Sequence, residues 1–219
     1  MTDQPGTVRT AWQGAWNDRA FRLQAAITVP LLVVVLSLLA RFLEANEVRQ
    51  GAVLADPVLA LFAPRDLTWL TFGLIYIGLI AAIIHLLRHP QTLLLAMQAY
   101  MLMVLFRIVA MTLLPLEPPP AMIPLSDPLV EIVGTGRLLT KDLFFSGHTS
   151  TLFLLYLVTP AGRLKHVFLA CTVLVACCVL LQHVHYAVDV FVAPFVAYAS
   201  VRIVRALPLH AGHARATHS

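Results

Sequence analysis

Charge is what this sequence has least of. Only 12% of its 219 residues are Asp, Glu, Lys or Arg, against 59% hydrophobic residues. A soluble domain of this length carries about twice that charged share, so the soluble globular class is excluded. Lysine is nearly missing, with Lys141 and Lys165 alone. Cysteine is scarce too, and Cys171, Cys177 and Cys178 fall in one apolar run. Their spacing is neither a metal-ligand pattern nor a C-x-x-C redox pair, and they read as small buried apolar residues. The chain shows no internal repeat, no low-complexity tract and no sign of a second domain.

What is abundant is apolar sequence in runs near the roughly 20 residues that cross a bilayer. Six spans are expected, at about 23–43, 67–88, 91–114, 143–160, 164–185 and 186–206. The fourth is the shortest, and the last two nearly touch, which requires a tight turn near His185. Connections are short except for 44–66 and 115–142. The second of these carries Pro115, Pro118, Pro119, Pro120, Pro124 and Pro128, which exclude regular helix there. The expected fold is an all-α polytopic bundle. Its parts are an N-terminal segment 1–22, a six-helix transmembrane catalytic domain 23–206 and a tail 207–219. The first span has a long polar leader and no small-residue cleavage site behind it, so it reads as a membrane helix and not a signal peptide.

Alternating six helices sorts the charges onto two faces. One face receives Arg9, Arg19, Arg22, Arg88, Arg163, Lys165, Arg202, Arg205 and Arg215 against Asp3 and Asp18. On the other, Arg41, Arg49, Arg65, Arg137 and Lys141 are outnumbered by Glu44, Glu47, Asp56, Asp66, Glu117, Asp127, Glu131 and Asp142. The positive-inside rule then puts both termini in the cytoplasm. The net charge of +4 is this topological bias and not a nucleic-acid footprint. With no soluble regulatory domain in view, a bacterial plasma membrane is the expected location.

Ionisable groups at membrane depth are costly, so each is a functional candidate. Those inside spans are Arg107, His148, His183, His185 and Asp189, with His85 near a cytoplasmic end. The alternating topology brings Arg107, His148, His183, His185 and Asp189 toward one depth at the outer face, from four separate segments. In "HYAVDV", His185 and Asp189 are four apart and share a face if the stretch is helical. The carboxylate would then hold the Nδ1 proton and free Nε2 as nucleophile or base. A buried ion pair that only locks the turn is the competing reading. In "SGHT", Ser146 suits an N-cap, Gly147 allows close approach to the backbone, and His148 faces whatever the helix N-terminus holds. Arg107 cannot shed its charge and suits an anion in the bundle interior, with snorkelling to the headgroups as the alternative. Lys141 and Arg137 either add positive potential or are ordinary loop charges.

A histidine at a helix start, a downstream His-x-x-x-Asp and an arginine from another helix describe a phosphoryl-transfer site. His185 would attack phosphorus, Asp189 would stabilise the imidazolium, and His148 would serve as acid and then base. Arg107 and the N–H groups around Ser146–His148 would hold the non-bridging oxygens. The scheme calls for no metal and no cofactor.

The blocks "DLFFSGHT" from Asp142 and "HYAVDVFVAPFVAY" from His185 resemble the lipid phosphatase/phosphotransferase superfamily that includes type 2 phosphatidic acid phosphatases. They look most like its sphingomyelin synthase branch. The resemblance runs from about Tyr100 to Arg202 and includes a Tyr100…Arg107…Thr112 stretch before a proline-bearing loop. It implies His148, His185 and Asp189 as the catalytic triad, with Asp142 and Arg107 as further site residues; Tyr100, Tyr186, Ser146, Gly147 and Lys141 are expected beside them as substrate-binding residues. Ala187 stands where the family has Thr, and Pro194 interrupts the expected Ala–Tyr spacing. The phosphatase branch's K-x(6)-RP and SR elements are missing, with Cys178-Val179 at the SR positions. His183 has no family counterpart and reads as structural.

What the resemblance implies is a membrane enzyme moving a phosphocholine- or phosphoethanolamine-type headgroup from a glycerophospholipid to a lipid hydroxyl such as ceramide. A phosphatase or phospholipase C-like hydrolase with water as acceptor is the alternative. A transporter, or a haem or metal carrier using His148, His183 and His185, is the non-enzymatic one.

Overall fold

The computed structural model describes residues 7–125 and 139–207. Asp3, Asp127, Pro128, Glu131, Arg137, Arg215 and the tail beyond residue 207 lie outside the described residues, and the expectations placed on them stop there. The described chain forms seven α-helices and one 3₁₀ turn, Leu59–Leu61, and contains no strand beyond a single Ala52–Leu116 bridge. The helices are α1 Val8–Asn17, α2 Arg19–Glu47, α3 Thr68–Leu86, α4 Pro90–Leu113, α5 Gly147–Val158, α6 Arg163–Leu181 and α7 Ala187–Ala206.

Helix boundaries follow local chemistry. Asp18 separates α1 from α2, and its carboxylate accepts the Ala20 N–H at 2.9 Å, capping the longer helix. Pro90 opens α4 at a first-turn position where its missing N–H costs nothing. The Ser146 hydroxyl accepts the Thr149 N–H at 3.3 Å and starts α5.

Five helices, α2, α3, α4, α6 and α7, are long and apolar enough to cross a membrane. The expected fourth span is the exception. Its helix α5 has 12 residues, which is about 18 Å and short of a hydrocarbon core of about 30 Å. The missing length is the stretch before Ser146, which is drawn out of helical form, with Phe144 at φ 95. Short as it is, α5 is central, packing on α3, α4, α6 and α7.

The core is made of small and aromatic side chains. Ala99, Ala193 and Ala197 are fully buried and let α4, α5 and α7 approach closely, beside Phe145 and Phe168. Lipid offers no hydrophobic drive for helix association, so close packing through small residues does that work. Large apolar residues such as Ile77, Phe191 and Phe195 point outward, as lipid-facing positions do. At one end of the bundle the segments 48–66 and 114–125 interlock. Ala52 N–H donates to the Pro115 carbonyl and Glu117 N–H to the Ala52 carbonyl, each at 3.0 Å. Gly51 is required there, because a Cβ would stand 2.6 Å from the Leu116 carbonyl carbon. The described ends of the chain, α1 and the close of α7, lie at the opposite end.

Candidate active site

Five segments meet beneath the interlocked loops. α4 supplies Arg107, the segment before α5 supplies Asp142 and Ser146, and the first turn of α5 supplies Gly147 and His148. The α6–α7 turn and the first turn of α7 supply His185 and Asp189. The two histidine blocks are stitched together directly, because the Ser146 N–H donates to the Asp189 carbonyl at 3.1 Å. Ser146, His185 and Asp189 are all buried.

His185 precedes α7 and is not part of it, since the helix starts at Ala187 with Tyr186 as its cap. The expected pairing is nevertheless made. His185 Nδ1 lies 3.3 Å from Asp189 Oδ2, and the same oxygen accepts the Tyr186 N–H at 3.2 Å. A carboxylate at Nδ1 favours the tautomer that carries its proton on that nitrogen. The His148 ring faces His185 with centroids 6.4 Å apart and planes inclined by 63°. His185 is buried, and of the two rings it is His148 that lines the cavity described below. Phe72 stands edge-on to His148 at 6.0 Å and backs its other side.

Arg107 is held on one edge by Asp142, whose Oδ1 accepts from Nε and Nη2 at 2.7 Å each. Phe145 lies under the guanidinium at 5.5 Å. Gly147 permits a close approach by a side chain. Any Cβ there would overlap the Arg107 guanidinium, with Cζ at 2.6 Å. The glycine admits the arginine to the helix N-terminus, so cation and helix dipole act on the same spot.

Arg107, Asp142, Gly147 and His148 form the polar end of a cavity of about 550 Å³. The rest of its lining is apolar apart from Tyr76, Tyr100 and Thr151, contributed by α2, α3, α4 and α5. Tyr100 lines it two turns of α4 below Arg107. Lys141 and the Tyr186 hydroxyl are not brought to this cavity. Lys141 Nζ donates to the Arg49 carbonyl at 2.7 Å and to Glu117 Oε1 at 2.8 Å. The Tyr186 hydroxyl donates to the Glu117 carbonyl at 2.9 Å and accepts the Leu54 N–H at 3.2 Å. Both residues tie the outer loops down. Glu117 is held below the ordinary carboxylate range by its bonds from Lys141 and from the Gly51 N–H.

His183 turns away from the site in a left-handed backbone conformation, φ 56, and packs its ring on Phe62 at 5.4 Å. The three cysteines are free and lie on α6 away from the cavity.

Supporting residues came from places that no local pattern marks. Glu47, at the end of α2, accepts the Thr140 N–H at 3.0 Å, the Lys141 N–H at 3.1 Å and the Thr140 hydroxyl. Asn46 donates to the Lys141 carbonyl at 2.9 Å. Together they pull residues 140–141 straight and present Asp142 to Arg107. Asp56 accepts the Ala187 N–H at 2.6 Å and so caps α7 from a distant loop.

This geometry brings two histidines, an aspartate and an arginine–aspartate pair together at one end of a bundle of long apolar helices. Residues 141–206, under a third of the chain, match the family model described as PAP2 superfamily C-terminal. The match supports the PAP2 lipid phosphatase superfamily, whose activity is lipid phosphatase or phosphotransferase chemistry. The matched stretch contains Asp142, Ser146, Gly147, His148, His185 and Asp189. No curated protein and no solved structure matches the chain.

Proposed function

We propose that the protein is a membrane-embedded lipid phosphotransferase of the sphingomyelin synthase type. The observation that carries this reading is one cavity with His148, Gly147 and Arg107 at one end and an apolar shaft below, with His185 facing His148. A headgroup phosphate belongs at the polar end and hydrocarbon in the shaft.

In the first half-reaction His185 Nε2 attacks phosphorus and a P–N bond forms. The bond from phosphorus to the diacylglycerol oxygen breaks, and that oxygen takes its proton from the His148 imidazolium. Asp189 stabilises the charge developing on His185. Arg107 and the N–H groups at the start of α5 hold the non-bridging oxygens. In the second half, neutral His148 accepts the proton of a lipid hydroxyl, its oxygen attacks phosphorus, and the P–N bond breaks. Both histidines return to their starting states. Ceramide is the acceptor that the family resemblance implies, and water in its place makes the same site a hydrolase.

Charge favours a diester donor. Among the described residues Arg107 is the only Lys or Arg lining the cavity, and Asp142 already pairs with it. One half-compensated cation suits the single negative charge of a phosphodiester better than a monoester dianion. In the membrane, the stretch before α5 together with α5 makes the sixth crossing. The basic end of the bundle is cytoplasmic, and the site opens outward from a bacterial plasma membrane.

The test is lipid analysis after expression in a host supplied with labelled ceramide, with His148→Ala and His185→Ala alongside. Labelled phospho-headgroup ceramide is expected with the wild type and lost in both variants. Transfer undiminished in both variants would sink the reading, and release of free phospho-headgroup instead of transfer would replace it with the hydrolase.

A further inference from the structure

The cavity below the histidines is deeper than a headgroup requires. Along α4 its wall runs from Arg107 past Tyr100 and Ala96 to Leu93, about 21 Å at the helical rise. One leaflet of hydrocarbon is about 15 Å thick, so the shaft is long enough to take the length of one acyl chain. Its far end lies at the α3–α4 turn. Leu86 and Leu93 line it there, and the α3–α4 turn passes behind them. α1 is docked on that turn by the Trp12 indole N–H, which donates to the Leu87 carbonyl at 2.8 Å. Ala15, Phe21 and Leu94 close a small core around it. The long side is different. Leu32 and Leu39 of α2 line the shaft opposite α3, yet α2 packs on α4 and α2 and α3 are not a packed pair. A chain can reach the shaft sideways from the bilayer, with its tip directed toward Leu86 and Leu93.

The bore near that end depends on two small residues. Ala82 of α3 and Ala96 of α4 both line it and are otherwise buried. Ala96 lies about 16 Å below Arg107 along α4. We infer that Ala82 and Ala96 are specificity-determining residues that keep the lower shaft wide enough for the end of one long acyl chain of the substrate. Leu86 and Leu93 fix where that chain must stop. This assignment rests on the lipid reading of the site. The selection is steric, because bilayer tails are as apolar as the shaft and a chain gains little by moving between them. Overfilling a close-packed apolar site changes an equilibrium or rate roughly fivefold to a hundredfold.

The experiment sets dioctanoyl- against dioleoyl-phosphatidylcholine as competing donors in one reaction, for the wild type, Ala96→Phe and Leu93→Ala. Ala96→Phe is expected to lower the dioleoyl-to-dioctanoyl ratio of kcat/KM about tenfold. Leu93→Ala is expected to raise that ratio. Should Ala96→Phe fail to fold, Ala82→Val carries the same comparison. Native mass spectrometry of lipids retained by the purified proteins is a second readout that needs no turnover. Retained lipids should shift to shorter chains in Ala96→Phe. If the wild type turns over neither donor, the catalytic reading fails, while the retained-lipid shift still decides the shaft. If neither the ratio nor the retained lipids move, the assignment of Ala82 and Ala96 is overturned.

Discussion

At the end of the bundle that holds His148 and His185, side chains from distant segments bond one another in series. Glu47 and Asn46 grip residues 140 and 141, Lys141 reaches Glu117, Glu117 accepts from Gly51, and the Tyr186 hydroxyl joins the two outer loops. At the other end, the long-range side-chain bonds include the Trp12 indole on the Leu87 carbonyl and Arg205 on the Leu157 carbonyl. Both ends are made of helix termini and short loops, so topology does not explain the difference. Polar networks cost desolvation and must be fully satisfied to hold. They are concentrated where five segments have to be kept in register around a buried cavity. At the opposite end, packing through Phe21, Leu94 and Phe168 accompanies the bonds of Trp12 and Arg205.

Breaking the dense end at its centre should have the largest effect. Asp189→Asn keeps the shape but no longer fixes the His185 tautomer, and turnover should fall roughly a thousandfold or more. The fall should come in kcat, while lipid retained by the purified protein stays near the wild-type amount. A step outward, Glu47→Ala leaves the N–H groups of Thr140 and Lys141 without their acceptor. It should cost about 1–3 kcal/mol of stability, measured by thermal unfolding in detergent. Activity should drop with it through loss of the Asp142–Arg107 alignment, and Glu47→Gln should restore part of both.

A subtler break uses pH. Glu117 has its carboxyl held below the ordinary value of 4.5, first by the Lys141 bond and then by the Gly51 N–H. The folded value is the lower one, so the strap contributes fully above about pH 4.5 and is lost as pH falls through the folded value. Hydrogen exchange at Gly51 should therefore accelerate below that range, with α1 unaffected. The smallest effect belongs to the sparse end. Arg205→Ala removes one exposed bond and should change stability by no more than about 1 kcal/mol and leave headgroup transfer near wild type.

The two ends also differ in how much of them could be read in advance. Five of the six expected spans correspond to long apolar helices, because twenty-residue hydrophobicity is a local property. The two histidine blocks were visible because spacing within a block is local as well. What sequence could not show were the connections between segments. Glu47 meets Thr140 across 93 residues, and Asp56 meets Ala187 across 131. In sequence both carboxylates look like ordinary loop charges. The same distance misled about Lys141, which sits beside Asp142 in the chain and yet points to the outer strap, away from Arg107. The fourth span was read as a crossing helix because its residues are apolar. The residues before α5 leave helical form where Phe144 takes φ 95 and the Ser146 N–H bonds the Asp189 carbonyl, and neither feature has a local signature.

The most direct test of the central claim is to look for the covalent intermediate. Purified protein would be mixed with a headgroup-labelled phosphodiester lipid in the absence of acceptor, quenched in alkali and digested, and the peptide carrying His185 weighed. The account predicts an acid-labile phosphorus-linked adduct on His185 that is absent from His185→Ala and discharged by adding ceramide. An active enzyme that transfers headgroup without ever carrying label on His185 would contradict it.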